Sequence, residues 1–259
     1  MASTFSKTDL LHHQPNLKEF NIEFFESIDS TSSYAKRYVE SNQAVLPSIF
    51  ATTKQTAAYG KESRTFFSPK GLYATLVLPI TNLKELNPGL LTISAGLGVL
   101  DTLTDYFPHQ FFQLKWVNDI LLNHKKCGGI LTELIQDQSQ RYYLVLGIGL
   151  NLQTPTLPDE LWSIATTIDM VANANYSILL ADLVANTLHR LTNQTSPHLI
   201  VEYKHHSNLL GHKITVKGHQ KAHTGFVRDF DKLGGLILEN ESDNQLLTFY
   251  SGDVIKILY

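Results

Sequence analysis

Residues 113–134 read Q-L-K-W-V-N-D-I-L-L-N-H-K-K-C-G-G-I-L-T-E-L, and the rest of the chain is arranged around this stretch. It reads as two β-strands joined by a polar turn. Residues 112–116 carry apolar or aromatic Phe112, Leu114 and Trp116, 120–122 are apolar, 123–126 supply the turn, and 129–134 return as a strand with partial alternation. Asn118 and Asp119 interrupt the apolar run, Lys126 stands at the mouth of the return strand, and Gly128 and Gly129 remove side chains just beyond it. Paired glycines at a strand entrance mark close approach of a backbone or a ligand. A lysine is a compact point charge, so beside bare backbone it suits an anionic ligand better than a neutral one. A solvated hairpin turn with a flexible Gly-Gly accounts for the same spacing, and spacing alone does not choose between the two.

The residues themselves go further. K-W-V-N-D-I followed by K-K-C-G-G-I-L-T-E-L resembles the central motif of biotin–protein ligases, K-W-P-N-D and then K-x-x-G-I-L-x-E. Val117 stands where that family usually has Pro, a residue that rigidifies the turn; no reacting group is lost with it. The resemblance implies an α+β fold, with a mixed-sheet catalytic domain of the class II synthetase-like biotin/lipoate ligase kind and a small SH3-like C-terminal barrel. It also implies a chemistry. Biotin is activated by ATP, with Mg²⁺ on the phosphates, to biotinyl-5'-AMP and passed to a lysine of a biotin carboxyl carrier domain.

Composition is compatible with that reading. The 259 residues suit one large domain and a small one, and 43% hydrophobic with 17% charged residues is ordinary for a soluble globular protein. A formal net charge of -3 leaves no electrostatic footprint for nucleic acid or an acidic membrane. Cys127 is the single cysteine, which excludes an intrachain disulfide and fits a reducing compartment. The start, M-A-S-T-F-S-K-T-D-L-L-H-H, lacks a signal-peptide core, and no apolar run approaches membrane-spanning length. A soluble cytoplasmic protein with neither DNA nor membrane as partner is expected. Residues 1–20 are expected as a flexible or loosely docked lead. They are too short for the winged-helix domain that some members of the resembled family carry, which argues against a repressor role.

Asn21–Phe25 reads as a strand, and Asp29 or Ser30 caps a helix running through Glu40. Capping alone explains Ser30 and Thr31; the resemblance adds that this D-S-T places hydroxyls on the ureido ring of biotin, with Ser32 where Asn is common. After a strand at 48–54 comes a long polar loop, Q-T-A-A-Y-G-K-E-S-R-T-F-F-S-P-K-G, of a kind that is often functional. It resembles without a gap the family's Q-x-x-G-R-G-R-x-G-R-x-W-x-S-P, which orders over biotin and the adenylate. Gln55, Gly60, Arg64, Ser68 and Pro69 match. Lys61 replaces an Arg and keeps its charge, and Phe66 replaces Trp and keeps a ring to stack on adenine. Ala58 for Gly and Tyr59 for Arg depart, and one cationic fork is lost with Tyr59. An ordinary mobile surface loop is the plain alternative.

Residues 71–79 read as a strand and 88–107 as a buried helix whose Ser94, Ala95, Gly96 and Gly98 serve packing. A buried strand at 141–151 ends in G-I-G-L-N, which resembles a family segment whose Asn, here Asn151, approaches the nucleotide; by itself a strand-end Asn is a turn residue. A polar connection at 154–175 holds a helix approach at 163–167, and helices follow at 178–192 and 197–206. His205, His206, His212, His219 and His223 show no metal-ligand spacing, so no fixed protein-only metal site is expected. Strands at Lys213–Lys217, 222–229, Leu236–Asn240, 246–250 and 254–258 make a small antiparallel barrel. G-F-V-R-D-F-D-K-L-G-G-L-I-L-E and S-G-D-V resemble the family's C-terminal domain. The expected division is therefore 1–20, 21–206 and 207–259.

Carried over residue by residue, the resemblance implies Lys126, Lys61, Arg64 and Asp119 as catalytic groups. Ser30, Thr31, Ser32, Gln55, Tyr59, Gly60, Lys61, Lys126, Gly128 and Gly129 would bind biotin. Lys61, Arg64, Phe66, Asn118, Lys126 and Asn151 would bind the nucleotide. The logic is electrostatic, because a carboxylate brought against a triphosphate needs fixed cations. Two rivals stay open: a lipoate- or octanoate-transferring relative, and a degenerate, non-catalytic biotin-binding protein suggested by Ser32, Ala58 and Tyr59. Whether two chains pair as a homodimer is left open.

Overall fold

The computed structural model describes residues 4–258 apart from 43, 45, 62, 63, 65, 69, 84, 85, 153–157, 171–173, 219 and 220. Pro69, His219 and two parts of the 154–175 connection therefore lie outside the described residues. Seven strands form one mixed sheet in the order β1-β2-β3-β7-β6-β5-β4. They are β1 (Asn21–Phe25), β2 (Ser48–Thr52), β3 (Gly71–Ile80), β4 (Phe112–Lys115), β5 (Asp119–Leu122), β6 (Lys125–Gln136) and β7 (Tyr142–Asn151). Only β1 and β2 run parallel; the other neighbours are antiparallel.

Alternation along the central strands sorts the side chains to two faces. Val77, Tyr143 and Val145 meet Ala35 and Val39 of α2 (Thr31–Glu40), which Ser30 caps by accepting the Ser33 N–H. Leu76, Leu144, Leu146 and Ile148 belong to the larger core shared with α3 (Pro88–Tyr106) and α4 (Tyr176–Thr192). Each such side chain contributes about 1.5–3 kcal/mol by leaving water. Gly98 lets α3 approach α4, since a Cβ there would lie 2.7 Å from the Thr187 Cα. The small residues of α3 thus serve packing.

Four expectations change. Residues 112–122 are not one interrupted strand: β4 and β5 form a hairpin whose turn holds Trp116, Val117 and Asn118, so the central unit has three strands. The β5–β6 turn is Asn123-His124, both at positive φ, and Lys126 already belongs to β6. Residues 163–167 make no helix. A 3-10 turn (Asp159–Leu161) precedes an extended stretch where Ala165 bridges to Lys126. The expected loose lead is packed down instead. In α1 (Lys7–His13) Leu10 is fully buried, Phe5 stacks on Phe24 at 5.0 Å, and His13 reaches Asp182 of α4 at 2.8 Å.

After α5 (Leu199–His206) a second sheet is wholly antiparallel, in the order β11-β10-β9-β8-β12. Its strands are β8 (Lys213–Lys217), β9 (Ala222–Phe230), β10 (Leu236–Asn240), β11 (Leu246–Phe249) and β12 (Asp253–Leu258). The two sheets share one core that includes Leu114, Trp116, Val227, Phe230 and Leu236. Trp116 donates its indole N–H to the Gly234 carbonyl at 3.0 Å, and Lys204 pairs with Asp229 at 2.6 Å. The first residues of β12 line the same cavity as Lys115, Trp116 and Asn118 of the β4–β5 hairpin. Among the described residues no helix is long and apolar enough to cross a membrane.

Candidate active site

A cavity of about 280 Å³ opens between the β5–β6 pair, the first turn of α2, the segment from Gln55 to Phe66 and the start of β12. Strand register builds its floor. Asp119 pairs with Gly129 and Ile120 with Gly128, but Leu121 pairs with Lys126, which leaves Cys127 as an extra, bulged residue. Residues three apart on a regular strand point to opposite faces. The bulge restores the parity, so that Lys126 and Gly129 both line the cavity. Gly128 faces the other way: a Cβ there would lie 2.7 Å from the Gly149 carbonyl oxygen. Its place is strand packing, and it is not brought to the site. At Gly129 the nearest atoms to such a Cβ are Lys126 Cε and Nζ at 3.4 and 3.5 Å, so this glycine leaves room for the lysine.

Lys126 donates to the Asp119 carboxylate, and Lys115 Nζ lies 3.9 Å from its second oxygen. Burial pushes the Lys115 ammonium below the usual lysine value; Asp119 offsets part of this and Lys126 adds to it. The main chain of Lys126 is gripped by the 164–166 stretch, its N–H donating to the Ile164 carbonyl at 2.9 Å and its carbonyl accepting from Thr166 at 2.8 Å. Asn118 closes the hairpin turn onto β6 by accepting the Ile130 N–H at 2.8 Å and donating its amide to the Ile130 carbonyl at 3.0 Å. The Cys127 thiol, buried on the core side and pushed up to about 12, stays protonated.

The opposite end carries hydroxyls and an amide in place of charges. Ser32 Oγ, Thr75 Oγ1, Thr31 Oγ1 and Gln55 Oε1 form a continuous hydrogen-bonded chain with steps of 3.1, 2.9 and 3.3 Å. Gln55 also accepts the Thr31 N–H at 2.8 Å, which ties the polar loop to the start of α2. Gly147 makes room for this chain, because a Cβ there would stand 2.5 Å from Ser32 Oγ.

The loop closes over the cavity through its own backbone bonds, Gly60 N–H to Arg64 O at 2.8 Å and Phe66 N–H to Ala58 O at 3.0 Å. Phe66 meets Tyr73 edge-on at 6.5 Å, and Lys126 Nζ sits 5.5 Å from the Phe66 ring centroid. The loop cations reach across to the second sheet: Lys61 donates to the Gly252 carbonyl at 3.0 Å, and Arg64 pairs with Asp253.

Residues 24–151 match the model of the Biotin/lipoate A/B protein ligase family. The match covers 128 of the 259 residues, and over that segment the chain is similar to this family. Among relatives, the bifunctional ligase/repressor BirA of Bacillus subtilis is 31% identical over 152 residues, 57% of this chain and 46% of that protein. The biotin–[acetyl-CoA-carboxylase] ligase of Mycobacterium tuberculosis is 31% identical over 177 residues, 65% of this chain and 63% of that protein. The match thus spans less than two thirds of either relative. The fold is that of the Aquifex aeolicus biotin protein ligase solved in complex with biotin and ATP. That structure superposes with a TM-score of 0.75 over 90% of this chain and 96% of its own, at 24% identity.

All but two of the residues implied by resemblance face the cavity; the exceptions are Gly128 and Asn151. Asn151 is buried at the end of β7, where the Tyr73 hydroxyl donates to its side-chain oxygen at 3.5 Å. Tyr73 itself lines the cavity, and Asn151 does not. Sequence reasoning missed Lys115, Tyr73, Gly147, Gly149, Gly252 and Asp253, all of which line the cavity. Lys115 opens the quoted motif and was within reach; the others arrive by strand pairing and sheet docking from distant parts of the chain. Among the described residues no cluster of three or more His, Cys, Asp or Glu is placed to hold a metal ion.

Proposed function

We propose that this protein is a biotin–protein ligase: it forms biotinyl-5'-AMP from biotin and ATP and transfers the biotinyl group to a lysine of a biotin carboxyl carrier domain. The observation that carries this reading is the polarity of the cavity. One end gathers Lys126, Lys115, Lys61 and Arg64 around Asp119 and Asp253, and the other offers the Ser32–Thr75–Thr31–Gln55 chain. Four cations against two carboxylates leave an excess positive charge suited to a triphosphate and a carboxylate together. The uncharged chain suits a cyclic urea, which both donates and accepts hydrogen bonds.

In the first step a biotin carboxylate oxygen attacks the α-phosphorus of ATP, and the bond to the β-phosphate breaks to release pyrophosphate. Lys126, held by main-chain bonds on both sides and lining the cavity, is the cation that spans the two anions, and Lys61 and Arg64 bear the phosphate charge. In the second step the amine of the acceptor lysine attacks the carbonyl carbon, an amide forms and AMP leaves. Asp119 is the carboxylate beside that carbon that takes up the proton or steadies the incoming ammonium. Mg²⁺ would come with the triphosphate, supplying charge neutralisation there; Asp119 and Asp253, the carboxylates that face the cavity, are each already paired with cations. A loop closed over the mixed anhydride excludes water from it.

Calorimetry with biotin, followed by pyrophosphate release with ATP, tests the reading. Biotin binding with biotin-dependent release is expected. No biotin binding overturns the assignment, and binding without turnover points to a non-catalytic biotin sensor.

A further inference from the structure

Tyr59 occupies the loop position where the resemblance places an arginine, and the sequence registers this as a missing cation. The structure gives the residue another occupation. Its hydroxyl donates to Glu133 Oε2 at 3.2 Å. Lys36 Nζ donates to the other oxygen, Oε1, at 2.9 Å and lies 4.8 Å from the Tyr59 ring centroid. One carboxylate is thus shared between a phenol and an ammonium, and the ammonium also sits on the face of the phenol ring. Three elements meet in this cluster: the loop through Tyr59, α2 through Lys36, and β6 through Glu133.

We propose that the Tyr59–Glu133–Lys36 cluster is a preassembled tie that holds the loop against the hydroxyl-lined end of the cavity, making Tyr59 and Lys36 positioning residues for biotin. The proposal rests on the ligase reading for the identity of the ligand, and on the geometry alone for the tie. Lys36 stands one helical turn beyond Ser32, so the helix that presents the pocket hydroxyls also anchors the loop that covers them. Ala58, next to Tyr59, is 7% exposed, which seats the loop at this point. The tie is built to persist. Burial raises the Tyr59 phenol and keeps it a neutral donor, and the hydrogen bonds of Lys36 to its partners outweigh its desolvation and keep it charged.

A consequence follows for the departure from the family pattern. The cation absent from position 59 is not missing from the phosphate end; a cation from α2 is spent at the biotin end instead. An arginine at position 59 would face Lys36 and compete for the single carboxylate, so Tyr59→Arg should loosen the loop rather than tighten it.

The test pairs a readout that needs no ligand with one that does. Hydrogen exchange of the backbone amides at 57–60 is measured in ligand-free protein for Tyr59→Phe, Lys36→Met, Lys36→Arg and the double variant Tyr59→Phe/Lys36→Met. Steady-state KM values for biotin and ATP are measured on the same proteins. Faster exchange at 57–60 is expected in Tyr59→Phe and Lys36→Met, with wild-type exchange retained in Lys36→Arg. The biotin KM should rise about fivefold in the first two and the ATP KM much less, and the double variant should fall short of the product of the singles. Unchanged exchange in Tyr59→Phe overturns the tie. Equal rises in the two KM values overturn its assignment to the biotin end. If wild-type protein shows no heat with biotin, it is the ligase reading that has failed, and the exchange result still decides the tie.

Discussion

The floor and the lid of the cavity are held by different physics. The floor, β5 and β6 with Asp119, Lys126 and Gly129, is set by sheet register, one bulge and main-chain bonds on both sides of Lys126. The lid, from Gln55 to Phe66, is pinned at its start by main-chain bonds from Thr56 and Ala57 to Ile28 and Asp29, and beyond them it meets other elements through side chains: Tyr59 to Glu133, Lys61 to Gly252 and Arg64 to Asp253. Sheet register is cooperative and resists a point change. Partly exposed side-chain pairs are worth roughly 0–1 kcal/mol each and can be released singly. The site therefore joins a charge platform fixed by sheet register to a cover held largely by side-chain contacts, and a cover that excludes water is what a water-sensitive anhydride requires.

The comparison breaks most sharply at Lys126. Lys126→Ala should lower biotinyl-adenylate formation by about 10²–10³-fold, the cost of removing one preorganised charge donor. The fold should survive, because the lost pair with Asp119 is partly exposed and Asp119 keeps Lys115 within 3.9 Å. Wild-type rates in this variant would remove Lys126 from the mechanism, and a collapsed far-UV spectrum would show that the floor depends on its side chain as well as its register.

Gly147→Ala probes the floor where it meets the hydroxyl chain. The new Cβ would stand 2.5 Å from Ser32 Oγ, which must then leave its bond to Thr75. Biotin affinity should fall about tenfold, the order of one disrupted polar contact. Calorimetry with biotin checks it, and an unchanged Kd would place the ureido ring elsewhere.

Asp253→Asn tests the lid from the barrel side. Without the carboxylate Arg64 loses its orienting partner, and the KM for ATP should rise about fivefold, equivalent to roughly 1 kcal/mol. Combined with Arg64→Gln, the two effects should not add. Additive losses would mean that Asp253 acts on the nucleotide by another route. A point change suits this question better than removing the second sheet, whose residues complete the same core as Leu114 and Trp116.

Lys115 is the smallest test. Its desolvation outweighs the help of Asp119. Lys115→Met should therefore raise thermal stability, by about 1 kcal/mol, while lowering turnover. A lower Tm would show that the pairing with Asp119 outweighs burial.

Much of this was legible in the sequence, and the gaps have physical causes. The Ser30 cap, the length of α3, and the five short C-terminal strands follow from local capping, periodicity and turn residues. The 112–122 hairpin was misread because its turn is itself apolar: Trp116 and Val117 continue the strand pattern, and Trp116 is buried against the second sheet. Gly128 and Asn151 were placed in the site by motif alone. Sheet parity turns Gly128 to the core, and Asn151 is buried at the end of β7 with its side-chain oxygen on the Tyr73 hydroxyl. Asp253 could not be read at all, since its partner Arg64 lies 189 residues away in the chain.

The most direct test of the central claim, a fixed cation spanning two anions in one cavity, is isotopic exchange between pyrophosphate and ATP in the absence of any carrier protein. Exchange that requires biotin and is nearly lost in Lys126→Ala is the predicted result. Exchange that proceeds without biotin, or that Lys126→Ala leaves intact, would contradict the account.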